Sequence, residues 1–227
     1  IHQVAQHQVH LSHHELEHVD LVVEHSQKLL LNGACLAEVE HKHVLGLANP
    51  MDAADALFER GHLSALLGPE HGIRGDAQDM IGVASGRDAR TEVPVHSLYG
   101  HTLESLTPSS EVLANVDVLV YDIQDVGCRY YTFAWTLLLA LRAAAQARVR
   151  MVVLDRPNPL GGLTVEGAGV EDGYTSFVGL HSVPARHGLT VGELARLVAT
   201  REGLSGWLHV VPMSGWRRAM HYDATGH

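Results

Sequence analysis

The chain is short of several things that would narrow its role. Among 227 residues only two are cysteines, Cys35 and Cys128, too few for a disulfide scaffold. Basic residues number 16 against 26 acidic ones, a formal net charge of −10, which argues against a protein built to bind phosphate backbones, and no nucleic-acid partner is expected. The longest apolar runs, such as 135–141, fall far below the ~20 residues of a membrane span. Low-complexity tracts are missing, and a 46% hydrophobic fraction is that of a folded globular chain with a sizeable core, sized for one large domain or slightly more.

Histidine is the exception to this ordinary composition. There are 18, and nine of them fall within residues 1–43. Residues 11–31 can be drawn as an amphipathic helix with Leu16, Val19, Val23 and Leu30 on one side. His14 and His18 share a helix face, with Glu15 and Glu17 beside them, so a metal-dependent hydrolase is one reading of this segment. No HExxH pattern or fixed ligand set accompanies them. An atypical, solvated His-rich stretch over 1–43 is therefore the expectation, and no metal is assigned.

From residue 44 a regular alternation begins. Short apolar runs at 44–48, 62–67, 116–121, 149–154 and 208–211 read as strands. Helical stretches lie between them at 52–60, closed by Gly61, at 107–115, opened by Thr107-Pro108, at 131–147, and at 190–202, opened by the capping box Thr190–Glu193. Strands written as unbroken Val/Leu/Ile runs and separated by helices predict a mainly parallel sheet with helices on both faces, a Rossmann-like doubly wound α/β fold over 44–223. The dinucleotide fingerprint is missing: Gly167-Ala168-Gly169 with Gly173 has the wrong spacing and no buried strand before it, so neither NAD nor FAD is expected.

Open parallel sheets bind ligands beyond the carboxyl ends of their strands, and three such ends are dense in ionisable groups. GPEHGIRGD (68–76) holds Glu70, His71, Arg74 and Asp76. DIQDVGCRYY (122–131) holds Asp122, Gln124, Asp125, Arg129, Tyr130 and Tyr131. DRPNPLGG (155–162) holds Asp155, Arg156 and Asn158, with Glu166 shortly beyond. Each has a plainer reading. Asp122 and Asp155 can cap backbone, Arg156 can pair with one of them, Tyr130 and Tyr131 can pack, and Cys128 lacks the partners of an activated thiol. Glu70 faces either a cleft or solvent. Two carboxylates with arginines and tyrosines suit glycosidic cleavage, in which one acid protonates the leaving oxygen and a second group assists water or the anomeric carbon; phosphate-ester or amide substrates would use a similar rim.

These loops, together with VPVHSLYG (93–100), VEG (165–167) and SFVGLHSVPARHGLTVGELARL (176–197), resemble the exo-β-N-acetylmuramidases of the NamZ type, a glycoside hydrolase family that was formerly a domain of unknown function. The similarity runs over about residues 44–223. It implies removal of non-reducing terminal N-acetylmuramic acid from peptidoglycan fragments in cell-wall recycling, with a muropeptide-like saccharide as partner and no metal or organic cofactor. It makes Glu70 of the PEHG motif the catalytic acid and Glu166 the candidate second carboxylate. It places His71, Arg74, Asp76, Gln124, Asp125, Arg129, Tyr130, Arg156 and Asn158 around the substrate. For the lactyl carboxylate of muramic acid a bidentate arginine is the natural partner, Arg129 before Arg74 and Arg156. Family members carry a smaller second domain, expected to begin near Asp223, and activity without it is expected to be impaired. The competing reading is a truncated remnant that binds muropeptide, or nothing, without catalysis. Residues 1–43 do not match the family, and His96 and His181 stand where it usually has tyrosine.

Overall fold

A computed structural model describes residues 44–49, 52–69, 86–98, 100, 102 and 104–225, with only the backbone considered for 44–49 and 52. The His-rich segment 1–43, and with it the expected helix at 11–31 and the His14/His18 pair, lies outside the described residues.

The strands are β1 (Val44–Asn49), β2 (Leu63–Gly68), β3 (Gly86–Arg87), β4 (Pro94–Ser97), β5 (Val118–Ile123), β6 (Arg150–Leu154) and β7 (Leu208–Val211). The helices are α1 (Asp52–Glu59), α2 (Ser110–Leu113), α3 (Phe133–Ala147) and α4 (Val191–Glu202). The sheet order is β3-β4-β2-β1-β5-β6-β7, and every pairing is parallel except β3 with β4. The chain winds outward from β1 through β2 to β4, then returns to lay β5 against the other side of β1. That reversal is the topological switch point of a Rossmann-like doubly wound sheet, and it opens a crevice at the carboxyl ends of β1 and β5.

Alternate strand residues feed two cores. Leu119, Tyr121, Ile123, Met151 and Val153 pack with α3 and α4 on one face, while Val120, Val152, Leu154 and Val211 pack with Ala53, Ala54 and Leu57 of α1 on the other. Because both faces are covered, the strands are apolar at consecutive positions rather than at every second one. Helix α3 is buried at eleven of its fifteen positions, which explains why it is apolar around most of its circumference. The hydroxyl of the buried Tyr121 donates to Phe133 O at 3.0 Å, tying β5 to the start of α3. None of the described helices is long and apolar enough to cross a membrane.

The elements depart from the sequence-based expectation in three places. Strand β5 runs two residues later than 116–121, because its ladder with β1 continues to Asn49↔Ile123; Asp122 therefore sits inside the strand. Helix α2 is only four residues long. Its cap is Ser109, whose side chain accepts from Val112 N, while Thr107 N is occupied in a turn by Glu104 O. Strands β3 and β4 were not expected: four residues led by proline and containing a histidine do not read as a strand.

Helix α4 begins with the expected box. Thr190 Oγ1 accepts from Glu193 N at 3.2 Å and the Glu193 carboxylate accepts from Thr190 N at 3.0 Å. The same hydroxyl donates to Asp155 Oδ2 at 3.0 Å, so one buried threonine secures both the helix start and the loop after β6. At the other end of α4, Glu202 takes a forked pair of bonds from Arg142 of α3, at 2.7 and 2.5 Å, and a third from His181 Nε2 at 2.6 Å. Desolvation alone would raise the Glu202 carboxyl, but the bonds from Arg142 and His181 outweigh it and hold the group below its ordinary range.

These contacts give two measurable stability outcomes. Thr190→Ala should lower the unfolding free energy by about 1–2 kcal/mol in urea titrations with the slope unchanged; a loss below a few tenths would contradict the capping role. Since the folded Glu202 titrates below the unfolded one, its contribution is complete above the ordinary glutamate range and is lost as pH falls through the folded value. The urea midpoints of wild type and Glu202→Gln should therefore differ at pH 7 and converge in acid; a gap that stays constant from pH 7 to pH 3 would refute it.

Candidate functional site

At the carboxyl edge of β5 and β6 two loops are locked together by side chains. Gln124 Nε2 donates to Asp125 O at 2.6 Å and across to Pro157 O at 2.8 Å. Asp125 Oδ2 accepts from Gly127 N at 2.8 Å, a short turn that needs φ of +85° at Gly127. A Cβ on Gly127 would stand 2.3 Å from Asn158 Oδ1, so only glycine lets the two loops meet here. Asn158, 2% exposed, donates to Leu189 O and accepts from Leu160 N, both at 2.9 Å.

The strip 183–189 closes over this pair of loops. Arg129 N donates to Ala185 O at 2.9 Å, and Glu166 and Arg186 exchange both backbone bonds at 3.0 and 2.9 Å. Arg186 thus bridges Glu166 on one side and Cys128 on the other. His187 Nδ1 accepts from Leu189 N at 3.1 Å, and its Nε2 stands 3.5 Å from Asp125 Oδ2. Both side chains are buried.

Within this frame the candidate residues fall into distinct surroundings. Asp122 is 1% exposed and accepts from Arg156 Nε at 2.6 Å. Asp155 is a capping group: its oxygens take Thr190 Oγ1, Gly192 N and Arg156 N. Burial raises its carboxyl, against the opposing pull of those donors. Arg129 is a staple, with Nη1 donating to Ala168 O and Val183 O, each at 2.7 Å, while its own carbonyl accepts from Trp135 Nε1 at 2.8 Å. Glu166 is 63% exposed at its side chain and pairs with Arg186 Nη1 at 2.9 Å. Tyr130 is 61% exposed, and a hydrogen bond with Cys128 raises its hydroxyl. The structure therefore joins Gln124, Asp125, Arg129, Asn158 and Glu166 into one assembly through the strip 183–189. Glu70, His71, Arg74 and Asp76 lie outside the described residues.

Two hollows flank this assembly. One, of about 250 Å³, lies between the ends of β5 and β6 and the segment C-terminal to β7; its walls include Asp122, Asp155, Arg156, Met213, Trp216 and Met220. The other, of about 310 Å³, is bounded by Arg129, Gly169, Tyr174 and Ser176. Sequence reasoning missed Met213, Trp216 and Met220. The available signal was topological: β7 ends on the same rim as β5 and β6, so the segment leaving it had to be near. Among the described residues no group of three or more His, Cys, Asp or Glu side chains is placed to hold a metal ion.

The close meeting of Gly127 and Asn158 can be tested directly. Gly127→Ala must resolve both the left-handed backbone and the contact with Asn158, and should cost roughly 1–3 kcal/mol in unfolding free energy. An alanine variant as stable as wild type would show that the loops are not in contact there.

Against known proteins, residues 41–227 match the family described as "Exo-beta-N-acetylmuramidase NamZ, N-terminal". The chain is 48% identical over 175 residues to the peptidoglycan beta-N-acetylmuramidase NamZ of Bacillus subtilis (strain 168), covering 76% of this chain and 42% of that protein. It is also similar to two crystal structures of DUF1343 family proteins from Bacteroides fragilis NCTC 9343. The first has a TM-score of 0.73 at 45% identity, over 82% of this chain and 49% of the other; the second has a TM-score of 0.66 at 30% identity, over 81% and 50%. The chain thus spans about half the length of the relatives it matches. With a family match reaching over most of its residues and a sheet of the same architecture as these solved relatives, this chain belongs to the NamZ family, in the part described as N-terminal.

Proposed function

We propose that this chain forms the Rossmann-like part, residues 44–223, of a glycoside hydrolase that releases non-reducing terminal N-acetylmuramic acid from peptidoglycan fragments, serving cell-wall recycling. The observation that carries this reading is the 48% identity to a peptidoglycan beta-N-acetylmuramidase. The rim supports it with a set of carboxylates, arginines and aromatic side chains suited to a saccharide.

In this reading Glu70 is the general acid. It gives its proton to the glycosidic oxygen as the bond from that oxygen to the anomeric carbon of muramic acid breaks, and the positive charge developing on the sugar is met by a second group. Glu166 is our candidate for that group. The strip 183–189 ties its backbone to Arg186, and Arg186 Nη1 holds one of its oxygens; the other is left to act on water or the anomeric carbon. The substrate's own 2-acetamido oxygen can serve instead, as in other substrate-assisted hydrolases.

The test is release of the chromophore from a β-muramide substrate. Glu70→Gln should reduce turnover at least ~10²-fold with an unchanged thermal unfolding midpoint. Wild-type turnover in that variant would overturn the assignment of the acid. Binding of muropeptide with no hydrolysis by any form of the protein would instead favour a non-catalytic binding domain.

A further inference from the structure

The 250 Å³ hollow at the ends of β5 and β6 is the size of one hexose ring, and its wall has a composition that a neutral sugar does not require. We propose that it is the subsite for a pyranose bearing a carboxylate, with Arg156 as the residue that recognises the acid and Trp216 as the platform for the ring. The inference rests on the glycosidase reading for the identity of the sugar, and on the cavity alone for its chemistry.

Among the described residues, Arg156 is the one lysine or arginine on the wall of the hollow. Its Nε is taken by the buried Asp122 at 2.6 Å, which fixes the guanidinium plane. Neither Nη has an acceptor among the described residues, and the side chain keeps 24% exposure. Still unoccupied is the outer edge of the fork, two parallel N–H bonds at the spacing of a carboxylate's two oxygens. An arginine anchored in this way loses little further freedom when it binds. Arg129 differs in this respect: its Nη1 is already occupied by Ala168 O and Val183 O.

Two carboxylates stand near Arg156, and each has its own compensation. Asp122 has the guanidinium itself. Asp155 is turned to the first turn of α4, taking Gly192 N at 2.7 Å and Thr190 Oγ1 at 3.0 Å, where the amino end of the helix offsets negative charge. An entering acid therefore meets no uncompensated carboxylate among the described residues of that wall.

Met213, Trp216 and Met220 also line the hollow. Gly162 makes room for this ring, since a Cβ there would lie 2.9 Å from Trp216 Cη2. A pyranose has a face of C–H groups that packs on an indole while its hydroxyls and acid reach polar partners at the edge. N-acetylmuramic acid carries such an acid, and N-acetylglucosamine is the same ring without it.

Titration of the chain with each of these two sugars, followed by tryptophan fluorescence, tests the proposal. The wild-type chain should bind the acidic sugar at least ~10-fold more tightly than the neutral one. Arg156→Met should abolish that preference while leaving the affinity for N-acetylglucosamine as it was, and Arg156→Lys, which keeps the charge but not the fork, should restore part of it. Because Arg156→Met leaves Asp122 buried beside an apolar side chain, Trp216→Leu serves as a second variant with the ion pair intact; it should weaken both sugars and remove most of the fluorescence change. Absence of preference in the wild type, or wild-type affinities in both Arg156→Met and Trp216→Leu, would overturn the subsite. Binding through Arg156 without any hydrolysis would leave it standing and sink the hydrolase reading, whereas muramide hydrolysis unaltered in both variants would do the reverse.

Discussion

Loops that leave the carboxyl edge of a parallel sheet have no neighbouring strand to accept their backbone bonds, and this constraint shapes the rim of the molecule. The connection from β6 to α4, residues 155–190, contains no helix or ladder strand, so side chains must satisfy its buried polar groups. Arg129 holds Ala168 O and Val183 O, Arg186 holds Leu160 O, Asn158 holds Leu189 O, and Arg218 holds Gly188 O. Where the carbonyl is shielded from water, as at Val183 and Leu189, losing its donor would cost more than the net gain of an average hydrogen bond. Along the rim, charged and amide side chains make the bonds that a neighbouring strand would otherwise make.

That constraint also explains how much could be read from the amino-acid order. The long buried strands and helices α1, α3 and α4 were legible, because continuous apolar runs, the capping box at Thr190 and the left-handed Gly61 are local signals. Strand β4 was not, since proline and histidine in a four-residue segment near the sheet's edge mask it. The end of β5 lies beyond the expected one because an aspartate normally marks where a strand stops; here the ladder with β1 runs past Asp122, and Arg156, far along the chain, pairs with its carboxylate. Ser109, not Thr107, caps α2, because the helix starts at Ser110 and the serine side chain is the one that reaches Val112 N.

For the candidate site the same ambiguity is sharper. Catalysis and loop scaffolding draw on the same residue types, and a sequence shows the type without the partner. Arg129 reads as an anion-binding arginine until its contacts with residues 39 and 54 positions away are seen. Asp155 reads as a cleft carboxylate until Thr190 and Gly192 are placed on it. Trp216 carries no local signal because its segment has no periodicity, although it lines the same hollow as Arg156. The residues that remain available to a ligand are those whose anchoring leaves an edge unoccupied, and Arg156 is the clearest of them.

The central proposal pairs a saccharide-binding rim with an acid at Glu70. A crystal structure of the protein with N-acetylmuramic acid bound tests it most directly. The sugar should lie against Trp216 with its carboxylate on the Nη edge of Arg156, and its anomeric oxygen within hydrogen-bond distance, about 3 Å, of the Glu70 carboxyl. A sugar seated elsewhere on the molecule, or a Glu70 side chain turned to solvent away from it, would contradict the account.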